Sequence, residues 1–288
     1  MGAGSPMAAH GRTARVRLLP LLVVAFAAAC SRGAAGDRAA GSSTAAGAAR
    51  AATVDPLAAV ARAIAPDGPY RVVSVSNPGT ITGRISVDAL PPRHDTTLTG
   101  DDASVCGARV RDRSVETSGH SLEGALVWVS DARAGRPLPA LRRADLQIVR
   151  CQFVPRMLAL VQGTTINLQS KDDAVHRTRF YSESADSLLS RMLTVNRWAV
   201  VPSARIAAEP GFVRVRLTRH QFVRGFVAVF DHPYFAVTNR SGRYRIPGVP
   251  AGTYHVRVWH ERGGDPIERT VTVKPGTLTE LDATLTLH

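Results

Sequence analysis

YFAVTNRSGRYRIPGVPAGTYHVRVWHERGG, residues 234–264, is a series of short apolar runs cut by turn residues. Within it Tyr254, Val256 and Val258 alternate with polar neighbours, a period of two that places them on one face of an extended strand. The separators NRSG and PGVPAG supply the Asn, Gly and Pro that chain reversals require, with Asn239 and Gly242 in the first and Gly252 in the second. The same texture continues on both sides, through GFVAVF before it and IERTVTV and ELDATLTL after it, so residues 225–288 are expected to form a small antiparallel β-sandwich.

Upstream, short apolar runs at Val72–Val75, Thr80–Val87, Ala125–Val129, Leu146–Val149, Met157–Val161 and Thr164–Leu168 read as strands of a larger sandwich over residues 70–224. Val213, Val215 and Leu217 alternate with Arg214 and Arg216, as in a half-buried strand. Tyr181–Glu209 has no clear period and is expected to be an excursion, with a helix over Ser182–Leu193. Residues 30–69 are almost all Ala, Gly, Ser and Arg, which offers no core, and read as a flexible tether with a short helix at Asp55–Ile64.

Composition narrows the function classes. With 288 residues, 44% of them hydrophobic, the chain has enough apolar material for one large or two modest domains. Its formal charge of +13 comes from arginines spread along the whole length, which does not mark a nucleic-acid surface. The sequence holds no G-x-S-x-G, P-loop, G-x-G-x-x-G or H-E-x-x-H, so a non-enzymatic role is expected. His260-Glu261 lacks the second histidine of a zinc-protease helix and lies in an expected strand.

Residues 1–29 carry Arg12, Arg15 and Arg17, then LLPLLVVAFAAA, then Cys30. That order is a secretory signal, and the small residues before Cys30 resemble the lipobox of bacterial lipoproteins. Export and lipidation of Cys30 would place the protein on the periplasmic face or outer membrane, tied to lipid and excluded from nucleic acid. In that oxidising compartment the two remaining cysteines, Cys106 and Cys151, are expected to form a disulfide.

Residues 234–264 resemble the carboxypeptidase regulatory-like domain, a transthyretin-like sandwich grouped with carbohydrate-binding-like folds. CQFVPR from Cys151, GTTINLQSKDDAVH from Gly163 to His176, and RLTRHQFVRGFVAVF resemble secreted cupredoxin-like proteins that continue into such a domain. The resemblance implies an all-β chain: a cupredoxin-like Greek-key β-sandwich followed by a regulatory-like one. It also implies a copper site in which an N-x-D-x-x-x-H segment, here Ser170 through Asp172 to His176, gives the first histidine. A C-x-x-H-P-x-M segment gives the other ligands, and here it reads Leu217, Thr218, Arg219, His220, Gln221, Phe222, Val223. Leu217 stands at the thiolate position and Val223 at the thioether position, so two of four ligands are missing and blue copper is not expected.

The expected function is a non-catalytic binding or accessory module of the cell envelope, with an envelope protein or glycan as partner and no cofactor. Two further readings stay open. One is copper(II) binding or trafficking through His176 and His220 with Asp172 or His232, which requires the imidazole nitrogens to approach within about 4 Å. The second is carbohydrate binding, which requires an exposed aromatic platform among Trp259, Tyr244 and Tyr234. An inward Arg177 paired with Asp172 or Asp173 would instead put a fixed charge in the metal's place.

Overall fold

Two strands without alternation organise the molecule. Leu126–Val129 and Arg224–Phe230 read LVWV and RGFVAVF, apolar on both faces, as expected of strands covered from both sides. In the computed structural model, which describes residues 56–65 and 68–288, Val227 and Val229 enter one core while Phe226, Ala228 and Phe230 enter another. Val127 and Val129 join a third core, and Leu126 and Trp128 meet the phenylalanines. Four sheets are therefore stacked with three apolar layers between them, and the chain is all-β apart from three short helices among the described residues. The signal segment, Cys30 and the tether up to residue 55 lie outside the described residues.

One mixed-sheet sandwich occupies Arg143 to Phe230. Its outer sheet runs Gln152–Val154, Arg143–Val149, Thr165–Ser170, Trp198–Val201; its inner sheet runs Met157–Val161, Arg224–Phe230, Gly211–Leu217, His176–Tyr181, Ser187–Leu193. Both sheets mix parallel and antiparallel pairs, Arg143–Val149 lying parallel to Thr165–Ser170 and Met157–Val161 parallel to Arg224–Phe230. Between them Leu146, Ile148, Ile166 and Leu168 meet Phe180, Val215, Val227 and Val229.

The second sandwich does not simply follow the first. Gly79–Val87 pairs antiparallel with Arg243–Val249 and parallel with Leu278–Glu280 and Ala283–Leu285, while Leu126–Val129 lies between Phe235–Val237 and Gly252–Trp259. Residues before 130 thus complete a sandwich whose other strands follow residue 234, and the first sandwich is inserted into it. The expected division at 224/225 is corrected on this ground, and Arg224–Phe230 belongs to the inserted sandwich. Alternation sets which face of Gly79–Val87 is buried but not which strand lies beside it. The NRSG reversal behaves as expected. Gly242 has φ +70, and a Cβ there would lie 2.5 Å from the Ile85 carbonyl oxygen.

Two further expectations change. Ser187–Leu193 is a strand in a hairpin with His176–Tyr181 instead of a helix, because pairing buries Leu189 and Leu193 against the inserted core. Pro56–Ile64 is a helix, but it is docked and not part of a free tether: Val60, Ala61 and Ile64 are buried in the middle apolar layer beside Trp128 and Phe212. The Trp128 indole N–H donates to the Ala63 carbonyl, which holds the helix in place.

Candidate functional site

One pole of the inserted sandwich collects most of the chemistry. The outer sandwich sends an excursion from residue 88 to 115 over this pole, and its helix Gly100–Cys106 places Cys106 against Val110 and the inserted core. Cys106 is bonded to Cys151, with Cα atoms 5.3 Å apart, so the expected disulfide exists and ties the two sandwiches together. Cys151 and Arg150 form a tight reversal between Val149 and Gln152, with φ of 54° and 49°. Two non-glycine residues in the left-handed region are costly, and Asp172 offsets this by accepting both of their backbone N–H groups.

Asp172 also meets His176, whose Nε2 lies 2.9 Å from Oδ2 with both side chains buried. Since a carboxylate only accepts, Nε2 carries the proton of that bond. Burial pushes the Asp172 carboxyl up, but hydrogen bonds from His176 and from the Cys151 and Arg150 amides outweigh it and hold the group below the ordinary Asp value. His220, on the loop between Gly211–Leu217 and Arg224–Phe230, is buried too. Its Nε2 lies 3.3 Å from Asp102 Oδ1 and 3.7 Å from Cys106 Sγ, while Nδ1 is buried without a hydrogen-bond partner.

The copper ligand set that the resemblance implies does not assemble. Leu217 and Val223, at the thiolate and thioether positions, are buried in the apolar core at 1% and 0% exposure. The His176 and His220 rings are 5.9 Å apart between centroids. Among the described residues, no set of three or more possible ligand atoms within 4.8 Å contains both histidines; each histidine groups separately with Cys151. His232, the third histidine considered, sits elsewhere among Tyr70, Phe230 and Tyr234. Arg177 is exposed and takes no part, so the partner of Asp172 is His176. The residues present do not fit blue copper.

The sugar-platform and strand-end expectations are settled by burial. Trp259, Tyr244 and Tyr234 are 2%, 4% and 0% exposed, so they are core and form no sugar platform. His260 lies buried just past the strand Gly252–Trp259; burial, then the Arg156 and Arg262 charges, push it down to about 3, and Glu261 pairs with Arg156. Sequence reasoning missed Asp102 and its bond to Arg219. A usable signal was present: Asp102 and Cys106 are four apart on one helix and therefore share a face. It also missed a cleft of about 540 Å³ where the excursion and both sandwiches meet. Seven arginines line it, among them Arg156, Arg216 and Arg224, against two acidic residues, Asp112 and Glu261.

The fold and pole together define a nested pair of β-sandwiches whose inserted member carries a disulfide beside two buried histidines. Residues 200–286 match the carboxypeptidase regulatory-like domain, a span that begins inside the inserted sandwich and leaves out the strands before residue 130. Three solved structures overlay parts of the chain. A purple cupredoxin from Nitrosopumilus maritimus is 18% identical over 30% of this chain and 98% of its own, with TM-score 0.26. The reduced state of an amicyanin mutant is 18% identical over 31% of this chain and 82% of its own, with TM-score 0.27. A copper-containing nitrite reductase from Thermus scotoductus SA-01 is 19% identical over 34% of this chain and 24% of its own, with TM-score 0.27. No curated protein matches.

Proposed function

We propose that this protein is a cell-envelope lipoprotein, anchored through Cys30, that acts as a non-catalytic binding or accessory module on a scaffold without blue copper. The observation that carries this reading is the state of the pole. Leu217 and Val223 fill apolar core where soft ligands would be needed, and both sulfur atoms nearby are spent on a disulfide. The arginine-lined cleft supplies a binding face, and its excess of positive charge favours an acidic partner. Among the described residues no helix is long and apolar enough to cross a membrane, and in this reading attachment rests on the lipidated cysteine.

The test is a copper(II) titration of the oxidised full-length chain by calorimetry and visible absorption, beside the His176→Ala, His220→Ala double variant. Equal weak heats and no thiolate-to-copper band are expected. Tight stoichiometric binding lost in the double variant would overturn the reading in favour of copper handling.

A further inference from the structure

The disulfide lies in an unusual setting. Cys106 Sγ, Cys151 Sγ and a His220 ring nitrogen all fall within 4.8 Å of one another, and all three residues are buried. We propose that reduction of this bond opens a site for a thiophilic divalent metal, zinc in the first instance, held by Cys106, Cys151 and His220. The inference goes beyond the binding-module reading, which concerns the oxidised chain, and stands or falls separately from it.

Three features support it. The first is spacing. Ligands on a tetrahedral zinc, at about 2.3 Å for sulfur and about 2.0 Å for nitrogen, are about 3.5 Å apart. His220 Nε2 and Cys106 Sγ are 3.7 Å apart already. Neither sulfur stands at the thiolate position of the copper loop, which is Leu217, so this donor set differs from the one the resemblance implies.

The second is the poor satisfaction of His220 in the disulfide state. Its Nδ1 is buried and unpartnered, and its Nε2 meets only a part-exposed carboxylate at 3.3 Å and a sulfur. A buried imidazole left so short of partners is uncommon, and a metal ion at Nε2 would take up the single free lone pair of the neutral ring, whose proton then sits on Nδ1. The third is support around the donors. Asp172 fixes the Cys151 amide, and His176 fixes Asp172, the kind of outer hydrogen bonding that orients metal ligands. Among the described residues, Asp102 brings a carboxylate beside these donors, its Oδ1 lying 3.3 Å from His220 Nε2.

The chemistry balances in two steps. A dithiol reductant attacks one sulfur, the mixed disulfide is resolved by its second thiol, and the reductant leaves as a disulfide while Cys106 and Cys151 each gain a hydrogen. Zinc(II) then displaces the two thiol protons without electron transfer. Exchange with a disulfide oxidant, itself reduced to a dithiol, reverses the sequence and releases the ion.

The full-length chain, reduced by a phosphine under nitrogen, should be titrated with cobalt(II) as the spectroscopic probe. One cobalt per chain with intense thiolate-to-cobalt absorption, displaced by one equivalent of zinc, is the expected result; the oxidised chain should show none. Affinity should fall at least 100-fold in Cys106→Ser and in Cys151→Ser. His220→Ala, which keeps both cysteines and can form the disulfide, should bind at least tenfold more weakly once reduced. A reduced chain that keeps its circular dichroism but binds no cobalt would sink the proposal. So would unfolding on reduction that zinc does not reverse, or unchanged affinity in His220→Ala. Copper(II) titration of the oxidised chain is blind to all of these outcomes, so the two readings fail separately.

Discussion

In the outer sandwich the buried polar side chains include Thr80 and Thr238, and Thr238 is satisfied by donating to the Leu122 carbonyl and accepting from the Ala125 amide. In the inserted sandwich they include Asp172, His176 and His220, three ionisable groups gathered at one pole around a disulfide. Both bodies need a dry interior between two sheets; Asp231, His232 and His260 are buried outside the inserted one, but among the described residues only the inserted one gathers such groups around a disulfide. Burying such groups is costly and contributes little to folding that apolar residues would not. Their retention therefore marks the inserted sandwich as the part where chemistry is concentrated and the outer one as its frame.

The sharpest test of this division concerns the layer between the two bodies. Trp128 is fully buried against Phe230 and the docked helix, and Trp128→Ala should cost about 4 kcal/mol. Urea unfolding followed by fluorescence and far-ultraviolet dichroism should show one transition shifted as a whole. Two separated transitions would show that the bodies unfold independently.

A smaller effect is expected within the pole. Asp172→Ala leaves two turn amides and His176 Nε2 without their acceptor, which should cost about 3 kcal/mol with little change at the outer sandwich. Because the Asp172 carboxyl is held below its ordinary value, its contribution is present above the unfolded carboxylate range and is lost as pH falls through the folded value. The wild type should therefore lose more stability than the variant between about pH 5 and pH 3. Equal acid sensitivity in equilibrium unfolding would remove Asp172 from its assigned role.

The mildest effect belongs to the junction. Burial, then the Arg133 charge, push His232 down to about 4, and His260 is pushed to about 3. Both bind protons more readily when unfolded, so stability falls as pH drops below the unfolded histidine value and levels off below the folded ones. Between pH 7 and pH 6 the loss should be about 1 kcal/mol, and His260→Gln should remove roughly half of it. A midpoint in urea that is flat over that interval would contradict the burial of both rings.

Much of this was legible in local pattern. Short apolar runs located Gly79–Val87 and Thr165–Ser170, and alternation located Gly211–Leu217, each to within a residue or two, and the turn chemistry of Asn239 and Gly242 marked a true reversal. The cysteine pairing followed from compartment and count. The nesting could not be read this way, because partner choice in a sheet is set by contacts distant in sequence. The unbroken apolar runs LVWV and RGFVAVF did carry the signature of strands buried on both faces. Joining Asp102 and Cys106 to His220 needed the excursion's path, which no period in DDASVC encodes.

The nested connectivity also orders events in time. Thr82 Oγ1 donates to the Tyr244 carbonyl across 162 residues, so the first strand of the outer sandwich is made long before its neighbour exists. A chain emerging from its N-terminus can close the inserted sandwich once Phe230 is out, while Gly79–Val87, paired only at its end with Ser121, waits for Arg243–Val249 and the C-terminal strands. Premature oxidation of Cys106 and Cys151 in that interval would staple an unfinished frame onto a finished insert. Folding of this chain thus places a demand on the timing of thiol oxidation that a sequential pair of domains would not.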